Sequence, residues 1–173
     1  VKGGTIPGQF MPAVEKGVRE VLATGVLAGY PVVDVKVIVY DGKHHSVDSK
    51  EVAFVTAARK AFVAAIREAR PIVLEPIVNL EVHCQAEKMG DIAGDLSSRR
   101  GQVTGTQTLA AGALAVIGTA PLAELDGYGS RLKAVTGGHG SYTMALARYE
   151  QAPPNVQQQL AAEYAKHRRH EED

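Results

Sequence analysis

Residues 72–101 read IVLEPIVNLEVHCQAEKMGDIAGDLSSRRG, and the change of hydrophobic period inside this stretch decides the fold. Leu74, Val78, Leu80, Val82 and Cys84 fall on one side of an extended chain, with Glu75, Asn79, Glu81 and His83 on the other. Alternation with a period of two is a strand that turns one face to a core. From Met89 the spacing changes: Met89, Ile92 and Leu96 follow at three and four residues, the stripe of an amphipathic helix. Arg99 and Arg100 stand where cations suit the helix dipole, and Gly101 is placed as the residue just past the end.

Downstream, a short strand near Gln102 to Gln107 and a longer one near Ala113 to Pro121 form a hairpin. A helix from about Tyr128 to Val135 stops at Gly137-Gly138, and Ser141 to Tyr149 alternates as a last strand. The order βαββαβ within residues 72–150 is that of a ferredoxin-like module. Pro153-Pro154 then leads to a helix over residues 151–173, capped by Asn155, with Val156, Leu160 and Tyr164 as its stripe. The terminal HRRHEED is expected to fray.

Upstream, Val14, Val18, Val21 and Leu22 mark a helix of about a dozen residues between Pro12 and Gly25. After Pro31 the chain alternates strictly, which predicts a strand with Val33, Val35, Val37 and Val39 on its core face. A tip loop, DGKHHSVD at residues 41–48, follows it. Asp48 and Ser49 then cap a long helix with a stripe of Val52, Val55, Phe62 and Ile66, stopped by Pro71. The fold class is α+β: two α/β sandwich modules, residues 1–71 and 72–150, plus the C-terminal helix.

Lys+Arg and Asp+Glu are 19 each, so no overall basic field marks a nucleic-acid binder and any such contact must be local. The balance is +3 over residues 1–71, −2 over 72–150 and −1 over 151–173. Cys84 is the single cysteine, which excludes an internal disulfide and a cysteine zinc cluster and fits a reducing cytosol. With no apolar run of transmembrane length and no signal-peptide pattern, the expected location is cytoplasmic.

The tip has several chemical readings. Metal binding by His44 and His45 needs further ligands, and adjacent histidines on extended backbone point to opposite sides. Acid/base catalysis has orienting carboxylates at Asp41 or Asp48 but no nucleophile. A solvated polar turn is the plain reading. The sharper one is a probe in which Lys43, His44 and His45 offer donors and flat rings to phosphates or bases. Met89 to Gly101 has phosphate-loop residue types without the Gly-Lys-Ser/Thr of a P-loop. Thr136 to Tyr142, TGGHGSY, is either a backbone anion nest or a helix stop. His83 beside Glu81 reads as structural and Cys84 as core.

The strings GGTIPGQFMPAVEKGVRE, LAGYPVVDVKVIVYDGKHHSVDS, ARPIVLEPIVNLEVH, MGDIAGDLSSRRGQVTG and GSYTMALARYEQAPPNVQ, in this order, resemble the C-terminal part of elongation factor G. The resemblance implies that residues 1–71 are part of that family's fourth domain and residues 72–150 its fifth, with the last helix packing back on the fourth. It further implies partners: the ribosome, met at the small-subunit decoding region and the large-subunit GTPase-associated region, and tRNA–mRNA, with no membrane and no DNA. His45 takes the place of the family's tip histidine, with Lys43 and His44 beside it. Arg99, Arg100, Gly137, Gly138 and His139 become candidates for large-subunit contact. GTP and Mg would bind an N-terminal domain outside this chain, so no catalytic residue, cofactor or metal site is expected here. Thr106 to Gly112 and Gly137 to Gly140 lack basic groups usual in the family, which fits a divergent paralogue in ribosome recycling, rescue or protection as well as a translocase. A histidine-dependent metalloenzyme and a purely structural module are the readings from other classes.

Overall fold

The computed structural model describes residues 6–45 and 50–172, with side chains through His167. The chain divides into two compact units, one of residues 1–73 with 153–173 and the other of residues 74–152.

In the first unit, α1 (Met11–Thr24) carries Pro12 in its opening turn and buries Ala13, Val14, Gly17 and Val21. The partner is α2 (Glu51–Glu68), whose Phe54, Phe62 and Ile66 are buried. Small residues set the distance between the helices: a Cβ on Gly17 would lie 2.4 Å from the Val55 carbonyl oxygen, so only glycine permits this approach. Phe10 stacks on Phe54 at 4.3 Å between ring centres beside Ala13 and Val14, while Val21, Phe62 and Ile66 form a second cluster farther along. Asp48 and Ser49, the expected caps of α2, lie outside the described residues. Val52, expected on the buried stripe, is 68% exposed; Phe54 takes the place facing α1.

The main departure from the sequence is the run after Pro31. Alternation predicts a strand there, and among the described residues of this unit the structure has none. Val33, Val35 and Val37 are exposed, and only Val32 and Val39 pack against the helix clusters. Alternation states which residues share a face; it does not supply a neighbouring strand, and a ladder needs both. Asp34 adds a bend, at φ 57°.

In the second unit, β1 (Leu74–Gln85), α3 (Met89–Ser98), β2 (Gln102–Thr108), β3 (Ala113–Pro121), α4 (Tyr128–Thr136) and β4 (Ser141–Gln151) follow in chain order. The sheet order is β2-β3-β1-β4, antiparallel throughout, with Val82 opposite Val116 on one side and Tyr142 on the other. This is the ferredoxin-like arrangement that βαββαβ predicts. The helices cover one face, where Ile92 and Leu96 of α3 and Tyr128 and Leu132 of α4 meet Val78, Leu80, Val82 and Cys84 of β1 and Leu114, Val116 and Ala120 of β3. Burial raises the Cys84 thiol pKa above its ordinary value, which suits a core residue and no nucleophile. Met89 is 39% exposed, so the buried stripe of α3 is shorter than the spacing predicts.

The last helix, α5 (Pro154–Glu172), belongs to the first unit. It starts two residues earlier than a cap at Asn155 would have it: the Gln157 N–H donates to the Pro153 carbonyl at 3.0 Å, which places Asn155 inside the first turn. The Gln157 side chain accepts from the Val73 N–H at 3.0 Å, and the Tyr164 ring lies over Gly29, where a Cβ would approach it to 2.8 Å. The helical backbone continues through His167 to Glu172, where fraying was expected.

Candidate functional site

The tip begins from a fixed root. Val39 packs among Ala13, Val14 and Phe54, and Gly42 lies against Ile6 so closely that a Cβ would come within 2.3 Å of the isoleucine's terminal methyl. Between them the Asp41 carboxylate accepts the Gly42 N–H at 2.7 Å. Lys43, His44 and His45 then stand exposed, while Ser46, Val47 and Asp48 lie outside the described residues. Among the described residues no group of three His, Cys, Asp or Glu side chains converges to hold a metal ion. The stretch is an anchored arm with a cationic and two imidazole side chains at its outer end.

Arg99, half-buried, and Arg100, exposed, both make ion pairs within their own unit. α3 ends in a Schellman turn: the Arg100 N–H donates to Ser97 O at 3.2 Å and the Gly101 N–H to Leu96 O at 2.7 Å. The left-handed residue is Arg100, at φ 58°, and not Gly101. Gly101 is needed for a different reason, because a Cβ there would sit 2.8 Å from the Leu96 carbonyl oxygen. The turn sends the Arg100 guanidinium to both oxygens of Glu75 at 2.8 and 2.7 Å, and to Glu124 at 2.8 Å. Glu75 is buried, so this bidentate pair neutralises a charge that would otherwise stand desolvated. The same hydrogen bonds push the Arg100 pKa up, Glu75 foremost. Arg99 bonds Asp95 at 3.1 Å and the carbonyls of Glu124 and Asp126 at 2.6 and 3.2 Å, and its guanidinium lies 5.4 Å from the centre of the Tyr128 ring. Both arginines tie α3 to the segment before α4; Glu124, the shared partner, had no local signal in the sequence.

Tyr128 closes this cluster. Its ring is buried against Tyr142, edge to face at 5.0 Å, and its hydroxyl has no hydrogen-bond partner among the described residues. Burial, with the Asp95 carboxylate adding, pushes its pKa up to about 12. A phenol whose folded pKa is raised contributes stability that is present below its ordinary value of 10.0 and lost as pH rises toward 12. Tyr128→Phe is therefore expected to hold or raise stability by up to about 1 kcal/mol at neutral pH. The wild-type chain should lose up to about 1.4 kcal/mol per pH unit relative to that variant between the two pKa values, as read by denaturant titrations across the range.

The turn Thr136 to Gly140 is a helix stop. Gly137 and Gly138, at φ 61° and 88°, direct their N–H groups to Lys133 O; the His139 N–H reaches Thr136 O at 3.3 Å, and the Gly140 N–H reaches Thr136 Oγ1 at 2.8 Å. The amides that an anion nest would aim outward are bonded within the turn. What this turn presents outward is the exposed His139 side chain. Gly90 and Gly94 sit inside α3, where Cβ atoms would meet open space, so no phosphate-cradling loop exists at Met89–Gly101 either.

Comparison with known proteins gives these features a setting. Residues 1–70 match the family described as elongation factor G, domain IV, and residues 72–160 match the elongation factor G C-terminus. The chain belongs to the elongation factor G family. An elongation factor G-like protein of Thermotoga maritima is 45% identical over 163 residues, which are 94% of this chain and 24% of that protein. A crystal structure of a Thermus thermophilus protein superposes with a TM-score of 0.77 at 41% identity, covering 95% of this chain and 25% of that one. The chain thus spans about a quarter of the length of these relatives. Among the described residues no helix is long and apolar enough to cross a membrane.

Proposed function

We propose that this chain is the ribosome-binding C-terminal part of an elongation-factor-G-like GTPase that promotes tRNA–mRNA movement during protein synthesis. The observation that carries the reading is the domain IV match over a segment whose Lys43, His44 and His45 project from a root held by Val39 and Gly42. A rooted arm can transmit force and exclude volume. Its lysine supplies a phosphate contact, and its imidazoles donate to RNA oxygens or stack on unpaired bases. The tip acts at the small-subunit decoding region, and the second unit, through His139 and the Gly137-Gly138 turn, steadies the protein at the large-subunit GTPase-associated region. Arg99 and Arg100 hold that unit's shape, since their donors go to Glu75, Asp95 and Glu124.

GTP and Mg belong to the rest of the parent protein. The amides of Thr136–Gly140 are bonded within their own turn, and we assign no chemical step to this chain. The work of this chain is steric and mechanical, and its setting is the cytoplasm. In the parent protein, His45→Ala is expected to slow single-turnover tRNA–mRNA movement at least about tenfold, the loss of roughly 1.4 kcal/mol in the transition state, while GTP hydrolysis on the ribosome changes little. Equal loss of both rates would refute that division of labour.

A second reading rests on the β2–β3 connection. Thr106 to Gly112 carries no cation, which weakens an electrostatic large-subunit contact and favours a divergent paralogue in ribosome recycling, rescue or protection. Normal ribosome binding with no translocation by the parent protein would select it.

A further inference from the structure

The turn after α4, Gly137-Gly138-His139-Gly140, has one side chain among three glycines. Such a stretch is ordinarily loose, because glycine loses the most backbone freedom on ordering. Here it is closed by Thr136, the last residue of α4, which is 3% exposed. The Thr136 hydroxyl donates to the Leu132 carbonyl at 2.7 Å and accepts the Gly140 N–H at 2.8 Å, while the Thr136 carbonyl accepts the His139 N–H at 3.3 Å. Two of the turn's four amides therefore end on this one residue, and the other two end on Lys133 O. We propose that Thr136 is a positioning residue for His139: its buried hydroxyl fixes the turn in the shape that presents the imidazole to the large subunit. The inference rests on the contact proposed above for His139 and adds what holds that side chain in place.

Threonine suits this task because it is branched at Cβ, and a hydroxyl bonded to the carbonyl four residues back holds its rotamer. Leu132 belongs to the core cluster with Leu96 and Tyr128, so the hydroxyl ties the turn to a fixed part of the unit. The fit on the other side is close. A Cβ on Gly140 would lie 2.7 Å from Thr136 Oγ1, 2.8 Å from its Cγ2 and 3.0 Å from a Leu132 methyl, so a glycine is needed for the Gly140 N–H to reach the hydroxyl. Valine has the shape of threonine without its donor or acceptor. It would leave the Gly140 amide and the Leu132 carbonyl unpaired at this buried end, and the backbone carrying His139 would open toward water. A turn already closed spares the ordering that a loose one undergoes on binding, and that is how a positioning residue raises affinity without touching the partner.

The test is the affinity of the parent protein for ribosomes with a GTP analogue that resists hydrolysis. His139→Ala should weaken binding about tenfold and Thr136→Val about fivefold, while Thr136→Ser, which keeps the hydroxyl, should stay within about twofold of the unaltered protein. In the His139→Ala background Thr136→Val should weaken binding no further, an outcome that general destabilisation of the unit would not give. Should Thr136→Val fail to fold, Gly140→Ala displaces the same hydroxyl and is read against His139→Ala in the same way. Full affinity in His139→Ala would remove the contact itself, and the inference with it. A weakened His139→Ala beside an unaffected Thr136→Val would overturn the inference alone. So would a Thr136→Val loss that persists without His139, or one that Thr136→Ser shares.

Discussion

Replacing Gly25 by alanine is expected to cost the first unit about 4 kcal/mol, summing backbone strain and steric overlap. Gly25 ends α1 at φ 65° and ψ −173°, a region open essentially to glycine alone. A Cβ there would also lie 2.2 Å from the Tyr30 carbonyl oxygen, a backbone atom that cannot swing aside. The turn it allows is the one that brings the Val32 N–H back to Leu22 O at 2.8 Å and starts the arm toward the tip. Hydrogen exchange separates the units: amides of α1 and α2 should exchange roughly a thousandfold faster, since 4 kcal/mol is near three decades, while β1 and β3 stay protected. Gly127→Ala is the control for strain without overlap. It also has a positive φ, 67°, but open space around the added carbon, and should cost about 1–2 kcal/mol in the second unit. Equal effects at the two positions would contradict the steric part of this account.

The second large effect is expected at Arg100. Arg100→Ala leaves the buried Glu75 carboxylate without its bidentate partner and should destabilise the second unit by about 3 kcal/mol. Arg100→Lys should recover only part, because an ammonium cannot bridge both Glu75 oxygens and Glu124 in the same fork. Arg100→Gly should be milder than Arg100→Ala by about 1 kcal/mol, since it loses the same ion pairs but relieves the left-handed backbone at φ 58°. Denaturant midpoints of the three variants give the ranking directly. Glycine no better than alanine would show that the Schellman turn holds no strain at that residue.

The second unit was legible in the sequence because its signals are local and repeated. The period of two in Leu74 to Cys84, the helical stripe at Ile92 and Leu96, and the glycines after α4 each mark an element on their own, and their order carries the topology. The end of α3 was legible only to within a residue: a glycine is the ordinary left-handed terminator, but a long-range pair with Glu75 and Glu124 holds Arg100 in that conformation. The first unit was less legible for two physical reasons. Alternating valines after Pro31 report strand propensity, whereas a strand also needs a neighbour. The closeness of α1 and α2 rests on Gly17, spaced three residues after Val14 and four before Val21, so that it continues the apolar stripe with no side chain; that spacing was the available signal for a close helix contact. At the candidate site, composition raised Lys43, His44 and His45 as a polar turn, and the family resemblance made them a probe. The root formed by Val39, Gly42 and Ile6 is tertiary and could not be read from the tip's own residues.

The central claim is that this tip meets small-subunit RNA, and site-specific cross-linking tests it most directly. A photoreactive residue at position 45 of the parent protein, bound to ribosomes with a GTP analogue that resists hydrolysis, should cross-link to decoding-region RNA or to the adjacent tRNA–mRNA. The same group at position 139 should mark the large subunit. Cross-links from position 45 to the large subunit, or none from a protein that is demonstrably ribosome-bound, would contradict the account.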